Sequence, residues 1–150
     1  VYVMHEDLEL LHFARNYAKK HGLKVVYINQ RLFHRLPGAI YLKDMSPEQW
    51  LGLFLHADAV VTNSFHGTAF GLNFGKTLFV KRIRNSKSNS RLEDILSQLR
   101  RSDVFIDTPV GARCVGEASG DNYISILDSL RKDSMSYLNN IIEHGEQARN

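Results

Sequence analysis

The sequence predicts a doubly wound α/β domain, an open parallel sheet covered by helices on both faces, and three observations carry that expectation. Strand-like and helix-like segments alternate over the whole 150 residues, the pattern that builds βαβ units and a parallel sheet. The runs Lys24 to Ile28 and Ala59 to Thr62 are continuously apolar and β-branched rather than alternating, as strands buried on both faces must be. Between them, helix-opening and helix-closing residues fall where the periodic segments begin and end.

Taken in order, Tyr2, Val3 and Met4 read as a short strand, and Asp7 as the N-cap of an amphipathic helix through Leu8, Leu11, Phe13, Ala14, Tyr17 and Ala18. Gly22 should stop that helix, just after Lys19, Lys20 and His21, whose charges suit the negative end of its dipole. Lys24 to Ile28 is the next strand. Arg31 to Gly38 is expected to be a loop, and Ala39 to Leu42 a further strand. Ser46-Pro47-Glu48-Gln49 is a capping box with proline at the first helical position, opening a helix through Trp50, Leu53, Phe54 and Ala57 that Asp58 ends. The strand Ala59 to Thr62 leads into a tight connection, Asn63 to Thr68, then a short helix from Ala69 to Phe74 closed by Gly75, and a strand from Thr77 to Val80.

Lys81 to Asn89 is basic and rich in Ser and Asn, and is expected to be an exposed, mobile loop. Ser90-Arg91-Leu92-Glu93 offers a second capping box, for a helix through Ile95, Leu96 and Leu99. Asp103 to Asp107 is a last strand candidate, Gly111 to Gly120 a loop, and Tyr123 to about His144 a helix carrying Ile124, Leu127, Leu130, Met135, Leu138 and Ile142 at helical spacing. Trp50, Phe54, Phe70 and Phe74 are expected in the core.

Composition narrows the function classes. With 43% hydrophobic residues the chain can bury one core, and a single domain over residues 1–150 is expected. A formal net charge of +3, with no run of Lys or Arg longer than two, suits an anionic small ligand and argues against nucleic acid. The lone Cys114 cannot form an internal disulfide, which favours a reducing, cytoplasmic setting. No apolar stretch approaches the roughly 20 residues that span a bilayer. The opening in strand-like sequence without an initiator Met suggests a piece of a longer protein. There is no glycine fingerprint for a dinucleotide, no phosphate-loop lysine, no metal-ligand spacing among the histidines and no glycosidase carboxylate pair.

In parallel sheets ligands bind beyond the carboxyl ends of the strands, where a following helix points its free N–H groups outward. Asn63 to Thr68 occupies that position. Ser64, Gly67 and Thr68 are small enough for an anion to approach the backbone, the hydroxyls and the Asn63 amide add donors, and His66 can exchange a proton near neutral pH. Arg82, Arg84, Lys87 and Arg91 are candidates to clamp phosphate or carboxylate; Arg91, directly after a helix cap, is the best of them, and Lys87 at least reads more readily as part of a solvated basic loop. Asp58 reads as a helix-ending residue more readily than as a partner orienting His66.

The run Ala57-Asp58-Ala59-Val60-Val61-Thr62-Asn63-Ser64-Phe65-His66-Gly67-Thr68-Ala69-Phe70-Gly71, continuing to Phe74-Gly75-Lys76, resembles the signature of the polysaccharide pyruvyl transferases. Looser similarity extends to Ser90 to Leu96, Leu130 to Ser134 and Tyr137-Leu138, so the resemblance covers most of the chain from Tyr41 onward. It implies the C-terminal, Rossmann-like half of a GT-B-like two-domain enzyme that transfers a pyruvyl group from phosphoenolpyruvate to a sugar as a ketal, with no metal and no resident cofactor. His66 matches the family histidine given an acid/base role. Some members carry an arginine two residues before that histidine, where this chain has Ser64.

The implied partners are an anionic donor, a sugar acceptor of a surface glycan or its lipid-linked precursor, and the missing N-terminal half of the same chain. A lipid-linked acceptor would bring peripheral membrane association. Residues 1–150 alone are expected to be inactive, lacking the opposite wall of the cleft. Two other readings stand beside this one: a glycosyltransferase-like half that binds a nucleotide sugar, and a non-catalytic scaffold.

Overall fold

A computed structural model describes residues 7–28, 36–87, 89–107 and 122–147. The expected strand at Tyr2 to Met4, the first part of the Arg31 to Gly38 loop and the Gly111 to Gly120 loop with Cys114 lie outside the described residues.

The fold is mixed α/β with parallel strand pairs, compatible with a Rossmann-like domain. Helix α1 (Leu8–His21) opens as the sequence predicts, with the Asp7 carboxylate accepting from the Leu10 N–H at 3.0 Å, and it ends at Gly22. Strands β1 (Val26–Ile28) and β2 (Ile40–Leu42) pair in parallel, Val26 opposite Ile40. Helix α2 (Pro47–His56) carries the predicted capping box in full: the Ser46 hydroxyl accepts from the Gln49 N–H, and the Gln49 side chain accepts from the Ser46 N–H.

Strands β3 (Ala59–Thr62) and β4 (Thr77–Val80) form the second parallel pair, with Ala59 opposite Thr77 and Thr62 opposite Val80. Alternate residues of this pair face two separate cores. Val60, Leu78 and Val80 join Phe54 of α2, Leu72 of α3 (Phe65–Asn73) and Leu92, Leu96 and Leu99 at α4 (Asn89–Gln98). Val61 and Phe79 join Leu10, Leu11 and Ala14 of α1, with Tyr27 of β1. Both faces of β3 and β4 are therefore covered, which explains why their sequences are apolar without alternation. Each large side chain so buried stabilises by about 1.5–3 kcal/mol.

Of the four aromatics expected in the core, Phe54 is buried in it and Trp50, Phe70 and Phe74 pack half-buried against it. Trp50 meets Phe54 at 4.4 Å and Phe70 edge-on at 5.0 Å, and Phe70 meets Phe74 at 6.2 Å. Gly71 lets α3 lie close to the sheet, since a Cβ there would stand 3.0 Å from Leu78 Cδ1.

Four boundaries differ from expectation. Helix α3 begins at Phe65, not Ala69, so His66, Gly67 and Thr68 belong to its first turn; two glycines in the run disguise a helix held by packing rather than by propensity. Helix α4 begins at Asn89, so Ser90 is not its cap: the Ser90 hydroxyl donates to the Lys87 carbonyl, and Glu93 pairs with Arg82. The segment before it is tied down rather than loose, because the Asn89 amide accepts from the Ile83 N–H and donates to its carbonyl, at 2.9 and 2.8 Å. The strand expected over Asp103 to Asp107 is a 3-10 turn, Ser102–Val104, followed by a single parallel bridge from Phe105 to Val80.

The last helix, α5 (Asn122–Gln147), docks by its first turns only. The Tyr123 hydroxyl donates to the Leu72 carbonyl and Arg131 to the Asn73 side chain. Further on, Met135, Tyr137, Leu138, Ile141 and Ile142 are exposed.

Candidate functional site

The chain leaves β3 through Thr62 and turns into α3 within two residues. Thr62 anchors that turn twice: its carbonyl accepts from the Lys81 N–H of the neighbouring chain segment, and its hydroxyl oxygen accepts from the Ser64 N–H, both at 3.0 Å. Ser64 stands at the N-cap with an extended backbone, φ −101° and ψ 137°. Its carbonyl accepts from both the N–H and the hydroxyl of Thr68, each at 3.0 Å.

What Ser64 does not do is cap. Its side chain makes no bond to the helix, and its hydroxyl is fully buried with no hydrogen-bond partner. A serine at this position ordinarily accepts from the second or third N–H of the helix. The first-turn amides of α3 therefore lack both an intrahelical acceptor and a cap from Ser64, at the positive end of the helix dipole. Such a terminus is suited to an anion.

Asn63, Ser64 and Thr68 are at most 2% exposed. They are enclosed main chain and side chain alike, and the Thr68 hydroxyl is engaged by the Ser64 carbonyl. His66 is different: it is exposed in the first turn of α3, its ring edge-on to that of Phe65 at 5.9 Å between centroids. Gly67 is buried beside it. The sequence-predicted residues Asn63, Ser64, His66, Gly67 and Thr68 are thus brought together by one strand-to-helix turn.

Of Arg82 and Arg91, the structure brings one to this turn. Arg91, exposed near the start of α4, places its guanidinium 5.5 Å from the centre of the Phe65 ring. Arg82 is held elsewhere, Nε to Glu93 at 2.7 Å and an Nη to Asp107 at 2.8 Å, with its plane 3.7 Å over the Phe105 ring. Burial opposes the Arg82 charge, but the two carboxylates outweigh it and raise its pKa. Asp58 precedes β3 while His66 follows it, so a strand of about 13 Å separates them and Asp58 does not orient the imidazole.

Phe65 is the residue the sequence did not single out. Its signal was adjacency to His66 alone, since nothing local says that a helix 26 residues on will lay an arginine beside it. A cavity of about 270 Å³ lies at the other end of the strands, among Val26, Leu53, Phe54, Ala57, Ala59 and Val60. It is remote from His66. Among the described residues no three His, Cys, Asp or Glu side chains cluster as metal ligands, and no helix is long and apolar enough to cross a membrane.

Compared with known proteins, residues 1–85 match a family model described as polysaccharide pyruvyl transferase. The match includes the whole strand-to-helix turn and ends before Arg91. No curated protein and no solved structure matches the chain.

Proposed function

The chain belongs to the polysaccharide pyruvyl transferase family, and from that premise we propose that it holds phosphoenolpyruvate at the start of α3 and transfers its pyruvyl unit to a sugar of a surface polysaccharide or its precursor. The observation that carries this reading is the uncapped N-terminus of α3 with an exposed imidazole in its first turn. The phosphate or carboxylate of the donor would accept from the free amides, and Arg91 would add a planar pair of donors. This supplies part of the charge that Ser64 leaves missing where some relatives carry arginine.

The reaction asks for few groups. A proton reaches the methylene carbon of the donor, a sugar hydroxyl attacks the adjacent carbon and loses its proton, and the C–O bond to phosphate breaks. A second hydroxyl closes the ketal, its proton leaving with phosphate. In this reading His66 would hold or move one of these protons, and the helix terminus would bear the charge of the departing phosphate. Arg82, paired to Glu93 and Asp107, is assigned to holding α4 in place rather than to the ligand.

The arrangement fits the C-terminal half of a two-half, GT-B-like enzyme, whose other half would close the crevice over His66 and bring the acceptor. In the full-length protein, His66→Ala should leave phosphoenolpyruvate binding intact and remove turnover. Binding of a nucleotide sugar in place of phosphoenolpyruvate would redirect the reading to glycosyl transfer, and binding of neither would leave a scaffold.

A further inference from the structure

Arg91 differs from the other arginines whose contacts the structure shows. Arg82, Arg101 and Arg131 each end on a carboxylate, of Glu93 and Asp107, Asp103 and Asp128 respectively. The guanidinium of Arg91 meets instead the ring of Phe65, the first residue of α3, at 5.5 Å. A cation held by an aromatic ring keeps its in-plane N–H donors available, which a carboxylate partner would consume. Phe65 is itself anchored, since it packs against the core shared by Phe54, Leu72 and Leu92. The same ring lies edge-on to His66 at 5.9 Å.

We propose that Phe65 is a positioning residue: its ring holds Arg91 beside the N-terminus of α3, so that guanidinium and helix amides grip one anion together. This rests on the anion-site reading above. The physical gain is pre-organisation. Arginine is long and has many rotamers, and a site that orders it before the ligand arrives loses less freedom on binding. Phe65 contributes twice, its N–H being a first-turn amide that Ser64 leaves uncapped and its ring meeting the Arg91 guanidinium.

The test is a double-mutant cycle read by calorimetric titration of the full-length protein with phosphoenolpyruvate, and with inorganic phosphate as a second probe. Arg91→Ala should weaken binding about tenfold or more, as loss of a charged hydrogen-bonding partner does. Phe65→Leu, which keeps apolar bulk but removes the ring, should weaken it about 2–5-fold. In the Arg91→Ala background Phe65→Leu should add nothing, whereas with Arg91 present Phe65→Tyr, which keeps the ring, should bind within about twofold of wild type. A role in packing alone would give the same loss in both backgrounds, and that result, or no effect of Phe65→Leu, overturns the proposal. Arg91→Ala binding as tightly as wild type overturns it too and leaves the α3 site standing. Absence of phosphoenolpyruvate binding by the wild type overturns the reading beneath both.

Discussion

Lys81, at the end of β4, reaches back 74 residues to Asp7, the residue that caps α1, with 2.7 Å between ammonium and carboxylate. One carboxylate thus does two things, accepting from the Leu10 N–H and neutralising a lysine that is only 16% exposed. Glu9 adds a second acceptor at 2.6 Å. This is how the first helix is fastened to the strand beside the candidate site.

Lys81→Met should therefore destabilise the protein by about 1–2 kcal/mol, between the limits for exposed and buried pairs, as measured by urea unfolding. Burial opposes the Lys81 charge, yet the hydrogen bonds and charges of Asp7 and Glu9 prevail and raise its pKa. A raised pKa means the stabilisation is fully present below the unfolded lysine value of about 10.4 and is lost as pH rises through the higher folded value. The stability gap between wild type and Lys81→Met should be constant from neutral pH to that point and close above it. A gap that instead closed on acidification towards pH 6 would contradict the assignment.

Thr62 and Ser64 give a contrasting pair. Thr62→Val removes the acceptor of the Ser64 N–H in a buried turn, and should cost about 1–3 kcal/mol. Ser64→Ala removes a buried hydroxyl that has no partner, and should leave stability within about 0.5 kcal/mol or raise it, although N-cap serines are ordinarily worth about 1 kcal/mol. Thermal unfolding of the two variants decides. A loss of a full kcal/mol or more in Ser64→Ala would mean that the hydroxyl caps α3 in solution.

Gly71 faces Leu78 Cδ1 so closely that a larger residue must displace it. Gly71→Val should cost about 1–3 kcal/mol by overpacking the core and should shift the methyl resonances of Leu78. Unchanged Leu78 resonances would show that α3 rides away from the sheet instead.

Two helices end in the same way with different residues. After α3, Gly75 has φ 62°, its N–H bonds the Leu72 carbonyl, and the Lys76 N–H bonds that of Gly71. After α4, Arg100 has φ 54°, bonding Ser97, while the Arg101 N–H bonds Leu96. Left-handed backbone costs a side-chain-bearing residue about 1–2 kcal/mol. Gly75→Ala should accordingly destabilise by about 1 kcal/mol, and Arg100→Gly should stabilise by about 0.5–1 kcal/mol, both read from chemical denaturation. The two substitutions should move the midpoint in opposite directions.

Much of this was legible in the sequence because it depends on local chemistry. Asp7, Ser46 with Gln49 and Gly75 mark helix ends by bonds to residues three or four away, and Val60 and Val61 announce opposite buried faces by their adjacency. That a strand gives way to a helix after Thr62 was recognisable for the same reason, although the connection is Asn63-Ser64 and the helix already begins at Phe65. What escaped were relations between distant segments. Ser90 and Glu93 have the spacing of a capping box, but Arg82 takes Glu93 for an ion pair and Asn89 takes the helix start. The inward turn of Ser64 and Thr68 follows from burial that neither residue declares. Arg82 and Arg91 look alike in sequence, and only the placement of Asp107 and Phe65 separates their fates.

The β3, α3, β4 unit has a kinetic consequence. Ala59 pairs with Thr77 only 18 residues on, and the Thr62 carbonyl meets the Lys81 N–H across a similar span, so the unit closes a short loop and covers one face of its strands, with α3, early. Amide protons of Val60, Val61, Leu78 and Phe79 should then be among the slowest to exchange with solvent, and the turn that carries His66 would be assembled before the more distant helices arrive to enclose it.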